Sequence, residues 1–194
     1  MKYYNITKDL DFVLSEDKKY TKNEIIEYIQ ESFQSDGFEI VNITKLEKSL
    51  TEIRLKIDGK EFAFVTLIRN ITGAGWESKP KFKRVQVNNL QSESPNMVVL
   101  NEKMINLILG YYNYDNNPIL VCWDLYRYLN HKTVRSCYVT VDTLKRGYEK
   151  EYYEGVDSGQ AVWVFKANYA KHFFINYLKY LEENRRVLWK KITN

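Results

Sequence analysis

The spacing of apolar residues near the N-terminus predicts one helix. Thr21 and Glu24 have the spacing of a capping box, and an apolar stripe at helical spacing follows them until Gly37. The stripe consists of Ile25, Ile26, Ile29 and Phe33. We expect the residues before Thr21 to be irregular.

Alternating apolar and polar positions then predict a β-meander with strands at residues 38–46, 50–57 and 61–71, in which Asp58 and Gly59 form a tight hairpin turn. Further strands are predicted at 83–88, 118–123, 136–141 and 161–165. Residues 89–95 are predicted to be a loop, and 104–109 a helix or strand that ends at Gly110. Asp142 can cap a short helix that reaches Tyr148, and a long helix is predicted from Asn168.

This order of elements predicts an α+β fold built on a curved antiparallel or mixed sheet flanked by helices. The chain shows no internal repeat, low-complexity tract or flexible linker. We therefore predict one domain over residues 1–166. The C-terminal helix over residues 167–194 then either packs on this domain or leads to a partner domain.

The composition is typical of a folded, water-soluble chain. Of the 194 residues 44% are hydrophobic, and the chain contains 16 Tyr, 9 Phe and 4 Trp. The formal charge of +4 favours polyanionic partners only mildly, because the total hides where the charge sits. Cys122 and Cys137 lie in apolar or β-branched runs and are predicted to be reduced core thiols. No stretch approaches the ~18 apolar residues of a membrane span, so we expect a cytoplasmic protein without a membrane partner.

Positive charge is concentrated between Arg69 and Val87. Four cations fall within six positions, with no acid among them, directly after a loop that contains Gly73, Gly75 and Trp76. These cations are Lys79, Lys81, Lys83 and Arg84. The run is typical of a nucleic-acid contact surface, although a charged strand edge that discourages aggregation has the same pattern.

The alternation of this basic strand predicts a division of roles. Val85 and Val87 can face the core, so that Arg84 and Gln86 project together from the other side. Arginine and glutamine are the side chains that read guanine and adenine edges. The three lysines and the backbone amides of residues 73–75 are then expected to meet phosphates.

A second polar surface lies between the apolar strands that end at Trp123 and begin at Ser136. Arginine, asparagine, histidine and tyrosine crowd there, and they are able to reach phosphates or base edges. The candidates are Arg127, Asn130, His131, Lys132, Arg135 and Ser136. In the alternative interpretation, the segment is a well-packed loop in which Asp124 pairs with Arg127 or Arg135.

Five short motifs resemble, in their order, the N-terminal DNA-recognition regions of restriction systems. They are Ile68–Thr72, Lys79–Pro80 with Arg84–Gln86, Ile108–Tyr112, Val121–Asp124 and Ser136–Val139. The most similar group is the LlaJI-like, McrB-related one, whose recognition domains resemble the pseudobarrel of plant B-three transcription factors. The resemblance covers about residues 21–166.

The resemblance implies a sheet that closes into a pseudobarrel and two arms that embrace the major groove of double-stranded DNA. The arms correspond here to residues 76–86 and 126–135. It also implies a nuclease or GTPase on another domain or subunit, since this chain contains no Walker phosphate loop. The full set of predicted DNA contacts is Arg69, Trp76, Lys79, Lys81, Lys83, Arg84, Gln86, Asn88, Arg127, Asn130, His131, Lys132, Arg135 and Ser136. We predict no catalytic residue, no cofactor and no metal site.

Two alternatives come from other classes. A Mg-dependent restriction-type nuclease needs acidic residues and a nearby lysine, a pattern that Asp58, Glu77 and Lys79 fit loosely. A modified-base or protein-interaction module would use the many aromatic residues as a pocket or stacking surface. The tyrosines considered for that pocket are Tyr111, Tyr112, Tyr114, Tyr152 and Tyr153.

Overall fold

The computed structural model describes residues 1–46, 50–87, 104–124 and 136–192, which form three helices and three sheets. The strands are β1 (Tyr3–Ile6), β2 (Phe12–Ser15), β3 (Glu39–Lys45), β4 (Leu50–Ile57), β5 (Lys60–Asn70), β6 (Thr72–Gly73), β7 (Phe82–Gln86), β8 (Met104–Tyr114), β9 (Asn117–Trp123), β10 (Ser136–Thr140), β11 (Tyr152–Asp157) and β12 (Gln160–Phe165). The helices are α1 (Lys22–Ser35), α2 (Val141–Lys150) and α3 (Ala170–Ile192), and a 3-10 turn (Ala167–Tyr169) precedes α3.

Seven strands form a large sheet in the order β11-β12-β9-β8-β5-β4-β3. The pairing of β5 with β8 is parallel and the other pairings are antiparallel, so the sheet is mixed. A small sheet has the order β10-β7-β6, and β1 pairs with β2 in a separate hairpin. The predicted α+β class and mixed sheet are therefore confirmed.

The two faces of the large sheet carry different helices. Phe174 of α3 packs on Phe64 of β5 and on Phe33 of α1, with ring centroids 4.5 and 5.6 Å apart. Phe165 of β12 stacks on α3, whereas its neighbour Val164 faces α2, because successive strand residues point to opposite faces. The core thus has a layer on each side of the sheet.

Local sequence signals located the first helix and the β4–β5 hairpin correctly. The Thr21 side chain accepts a hydrogen bond from the Glu24 amide at 3.3 Å, and Glu24 Oε2 accepts one from the Thr21 amide at 2.6 Å. Asp58 and Gly59 both have positive φ, 50° and 78°, as a two-residue hairpin turn requires. The capping box and the turn are confirmed.

Three local predictions were wrong, and strands were also missed. The N-terminus is not irregular but forms the β1–β2 hairpin, and β11 was not predicted. The N-cap of α2 is Thr140 rather than Asp142. Strand β8 also continues past Gly110, where a Cβ would lie 2.6 Å from the Ile71 side chain, so this glycine allows close packing instead of ending the element.

The described residues contain no closed barrel, so the pseudobarrel is not confirmed. Helix α3 buries Phe173, Phe174 and Tyr177 in the same core as the sheet strands, while the domain boundary at residue 166 stays a prediction. The predicted loop at 89–95 lies outside the described residues. Within the described part, no helix combines the length and apolarity needed to cross a membrane.

Candidate nucleic-acid interface

The small sheet presents the predicted basic strand with two distinct faces. Val85 and Val87 are buried, at 0% and 2% exposure, and pack into the core. Arg84 and Gln86 therefore project from the other side, which we call the outer face, where Arg84 is half-buried and Gln86 exposed. The alternation predicted for these four residues is present in the structure.

A group of aromatic side chains shares the outer face with Arg84. In the strand register, Arg84 lies directly opposite Tyr138 of β10. The Trp76 ring stacks on the Tyr138 ring with centroids 4.9 Å apart and an angle of 22° between planes, and it meets Phe82 edge-on at 5.9 Å. Because Trp76 remains 39% exposed, the outer face offers an aromatic surface beside an arginine.

The loop between β6 and β7 places Lys79 beside these rings. The Lys79 amide donates to the Trp76 carbonyl at 3.1 Å, and the Phe82 amide donates to the Lys79 carbonyl at 3.1 Å. These turns hold Lys79 Nζ 5.4 Å from the Trp76 ring centroid and 5.5 Å from that of Phe82. Gly75 has a φ of +85°, which a residue with a side chain rarely adopts.

Two further predicted cations are exposed. Lys81 precedes β7 and forms an ion pair with Asp142 at 3.2 Å, in which both side chains are about half exposed. Arg69 is exposed near the end of β5, and its charge acts on Lys22, whose pKa is lowered mainly by burial and further by Lys45 and Arg69. Lys81 therefore contributes to the cationic region of the β6–β7 loop, while Arg69 lies within electrostatic reach of α1.

Lys83 differs from its prediction, because its side chain is fully buried. It lies on the inner face of β7, where its ammonium donates to Asn5 Oδ1 at 2.7 Å and pairs with Asp17. Burial lowers the pKa of Lys83, and the Asp17 carboxylate opposes that shift. Lys83 is therefore a structural residue and is not available to a phosphate.

The backbone amides of the glycine loop are also engaged inside the protein. The Gly73 amide donates to Asp17 Oδ2 at 2.6 Å, and the Ala74 amide donates to the Phe82 carbonyl at 3.0 Å. The prediction that these two amides meet phosphates is wrong for that reason. Asp17 thereby holds both β6 and β7, since Gly73 and Lys83 are paired across the two strands.

Ser136 lies opposite Gln86 in the register but is only 5% exposed. It is therefore buried and does not lie at the surface as the prediction of a DNA contact requires. Asp124, expected to pair with an arginine of the second surface, accepts a hydrogen bond from Tyr180 at 2.9 Å. The remaining predicted contacts lie outside the described residues and stay predictions. They are Asn88, Arg127, Asn130, His131, Lys132 and Arg135.

Sequence reasoning missed the residues that support the outer face. Tyr138 could have been found, because alternation in β10 makes it point to the other face of the strand from its buried neighbours Cys137 and Val139. Asp17 and Asn5 carried no such signal, since each contacts Lys83 across a long stretch of chain.

The residues of the nuclease alternative are not brought together. Asp58 lies in the turn before β5 and Glu77 in the loop that follows β6, so the eleven residues of β5, roughly 33 Å long, separate the two segments along the strand. Asp58 lies 3.8 Å from Lys171 of α3. Within the described ranges no three His, Cys, Asp or Glu residues cluster as metal ligands.

The tyrosines proposed as a pocket do not form one group, because only Tyr112 and Tyr114 lie together, on one face of β8 beside the β1–β2 hairpin. Tyr111 and Tyr112 are consecutive in β8 and point to opposite faces: Tyr111 contacts Tyr20 of the segment before α1, and Tyr112 donates to Asn5. Tyr152 and Tyr153 lie on β11, at an edge of the large sheet.

Burial raises the pKa of the Cys122 thiol well above its ordinary value, which disfavours a thiolate nucleophile.

The fold and the outer face together define an α+β protein whose small sheet carries a mixed aromatic and basic surface. The chain belongs to the Methylase-associated X1 family, whose model matches residues 62–174, more than half of the 194 residues. This description fits a restriction-modification setting and an accessory module of such a system. Neither a curated protein nor a solved structure matches the chain.

Proposed function

We propose that this chain is a sequence-specific, double-stranded DNA-binding module of a bacterial restriction-modification system, without catalytic activity of its own. The observation that carries the proposal is the outer face of β7. Arg84 and Gln86, two side chains suited to reading base edges, project there side by side. Trp76 stacks on Tyr138, which lies opposite Arg84, and Lys79 lies beside Trp76; the two supply contact area and charge.

The shape of the small sheet supports duplex DNA as the ligand. The major groove is about 12 Å wide and admits a two-stranded β-ribbon. The antiparallel pair β7–β10 has five residues in each strand, and β6 adds only two residues beside it. A ribbon of this width can place Arg84 and Gln86 at base edges while Lys79 and Lys81 meet the phosphates on the flank.

The finer assignment is also a proposal. We propose that the chain binds DNA in the way of the recognition regions of the LlaJI-like, McrB-related group. Residues 126–135 would then form a second arm that contacts the same DNA. We also propose a partner enzyme in the same system. We propose that this partner is a nuclease or GTPase on another domain or subunit.

A second candidate ligand is an unpaired or modified base. The Trp76 ring, which rests on Tyr138 and remains 39% exposed, is the observation that favours it. Bases out of the duplex stack are commonly recognised by stacking on aromatic side chains. Selection with methylated and with mismatched duplexes separates this candidate from plain sequence reading.

The test is a gel-shift selection from random duplexes, with and without cytosine or adenine methylation. The affinity for the selected duplex is then compared with that for a scrambled one at ~50 mM salt, where basic contacts are strongest. Arg84→Ala should lower the discrimination by about 1–3 kcal/mol, because a bidentate base contact is lost. Lys79→Ala should weaken both duplexes equally. Absence of DNA binding by the wild-type chain refutes the proposal.

A further inference from the structure

The cations of α2 are held in place by aromatic rings. Lys145 Nζ lies 5.2 Å from the ring centroid of Phe12, and Lys81 Nζ lies 5.3 Å from the same centroid. One ring of the N-terminal hairpin therefore gathers two ammonium groups, one from the β6–β7 loop and one from α2.

Two further cations of α2 repeat this arrangement on a second ring. Arg146 Cζ and Lys150 Nζ each lie 5.9 Å from the ring centroid of Tyr153 on β11. Arg146 Nη1 also donates to the Tyr153 hydroxyl at 3.4 Å. Arg146 and Lys150 are both exposed, so these cations remain accessible from solvent.

The side of helix α2 away from these cations packs closely against the large sheet. Its inner side buries Leu144, Gly147 and Tyr148, and a Cβ on Gly147 would lie 2.3 Å from Val164 of the large sheet. This close approach leaves Lys145, Arg146 and Lys150 on the side of the helix away from the sheet.

The cationic side of α2 is connected directly to the proposed DNA-binding sheet. Strand β10, which carries Tyr138 of the outer face, runs into α2 at Val141 without a loop. The Val141 amide donates to the carbonyl of Lys81 at 3.0 Å, so the start of the helix is bonded to the chain just before β7. Helix α2 therefore begins beside Lys81, at the edge of the small sheet.

Acidic neighbours reduce the positive charge but do not cancel it. Asp142 is paired with Lys81, and Glu149 is exposed on the same helix. Helix α2 contains three cations and two acids, and Lys81 of the β6–β7 loop is a fourth cation beside them. Because the rings restrict the lysine and arginine rotamers in advance, less entropy is lost when a phosphate binds them.

We infer that Lys81, Lys145, Arg146 and Lys150 form a phosphate-contacting flank that extends the DNA interface from the small sheet onto α2. The ligand is the sugar-phosphate backbone beside the base pairs met by the outer face. This inference rests on the proposed function. These residues hold the duplex by charge and carry no sequence preference of their own.

The test is the salt dependence of binding to the selected duplex, measured by fluorescence anisotropy. Each phosphate contact contributes about one to the slope of log affinity against log salt. The double variant Lys145→Ala with Arg146→Ala should lower the slope by about two and weaken selected and scrambled duplexes by the same factor. Thermal unfolding of each variant checks that the chain remains folded.

Lys179→Ala is the matched control. This lysine is exposed on α3, which covers the opposite face of the large sheet, and its replacement should leave the slope unchanged. A wild-type slope in the double variant, or an equal loss in the control, overturns the inference. If Arg84→Ala still relaxes the sequence preference in that case, the proposed function stands and the α2 flank alone is wrong. If the wild-type chain binds no DNA, both are wrong.

Discussion

The buried ion pair between Lys83 and Asp17 should be a main determinant of the stability of the small sheet. The Lys83 side chain is 0% exposed and that of Asp17 is 9% exposed. Replacing Lys83 with Met keeps most of the apolar stem but leaves the Asp17 carboxylate without its cation. Breaking a buried pair from one side costs about 3–5 kcal/mol, because an uncompensated charge remains in the core.

Urea unfolding followed by circular dichroism measures this cost. With a slope of about 2 kcal/mol per molar urea, the expected loss moves the midpoint down by about 1.5–2.5 M. Lys81→Met is the matched control, since Lys81 lies two positions earlier and forms an exposed ion pair with Asp142. An exposed pair contributes about 0.2–1 kcal/mol.

A double variant separates the cost of leaving the Asp17 carboxylate without a cation from the cost of lost side-chain packing. Adding Asp17→Asn to Lys83→Met removes the carboxylate charge, while the amide oxygen can still accept from the Gly73 amide. The double variant should therefore be more stable than Lys83→Met alone, by about 1–3 kcal/mol. The reasoning is refuted if Lys83→Met costs no more than Lys81→Met, or if adding Asp17→Asn lowers stability further.

Three other predictions follow from single contacts. Asp142→Asn should strengthen DNA binding in an anisotropy titration, because it removes the acid paired with Lys81, and unchanged or weaker binding would speak against that site. Gly73→Ala should cost about 1–3 kcal/mol in urea unfolding, since its Cβ would lie 2.2 Å from the Tyr3 ring; the same cost in a Tyr3→Ala background would disprove the clash. Burial is the main cause that raises the pKa of Tyr111 from 10.0 to about 12. The buried neutral hydroxyl therefore contributes its full stabilisation of the folded state below pH 10, and this stabilisation is lost as the pH rises towards 12. Tyr111→Phe should flatten the fall in unfolding free energy across that window, and an unaltered fall would contradict the assignment.

The elements that were predicted well depend on local signals. The β4–β5 hairpin follows from an Asp-Gly turn between two alternating strands, and α1 follows from its capping box. The same period-2 rule places Lys83 on the inner face with Val85 and Val87. The prediction of a phosphate contact gave more weight to its charge than to its position in the strand, and the structure follows the position.

The candidate site was predictable only in part, because its supporting contacts are distant in sequence. Alternation identified the outward direction of Arg84 and Gln86 and would have identified Tyr138. The pairing of Asp17 with Lys83 joins two segments 66 residues apart, and no local pattern encodes it. The gathering of Lys81 and Lys145 over Phe12 likewise depends on the tertiary fold, since three separate elements meet there.

Acrylamide quenching of tryptophan fluorescence tests most directly whether DNA covers the outer face. Trp76 is 39% exposed, whereas Trp123 and Trp163 are 0% and 1% exposed, so the difference between wild type and Trp76→Phe isolates the signal of Trp76. Duplex DNA at saturating concentration should protect this component from quenching. A duplex that binds while Trp76 stays as accessible as in the free protein would contradict the account.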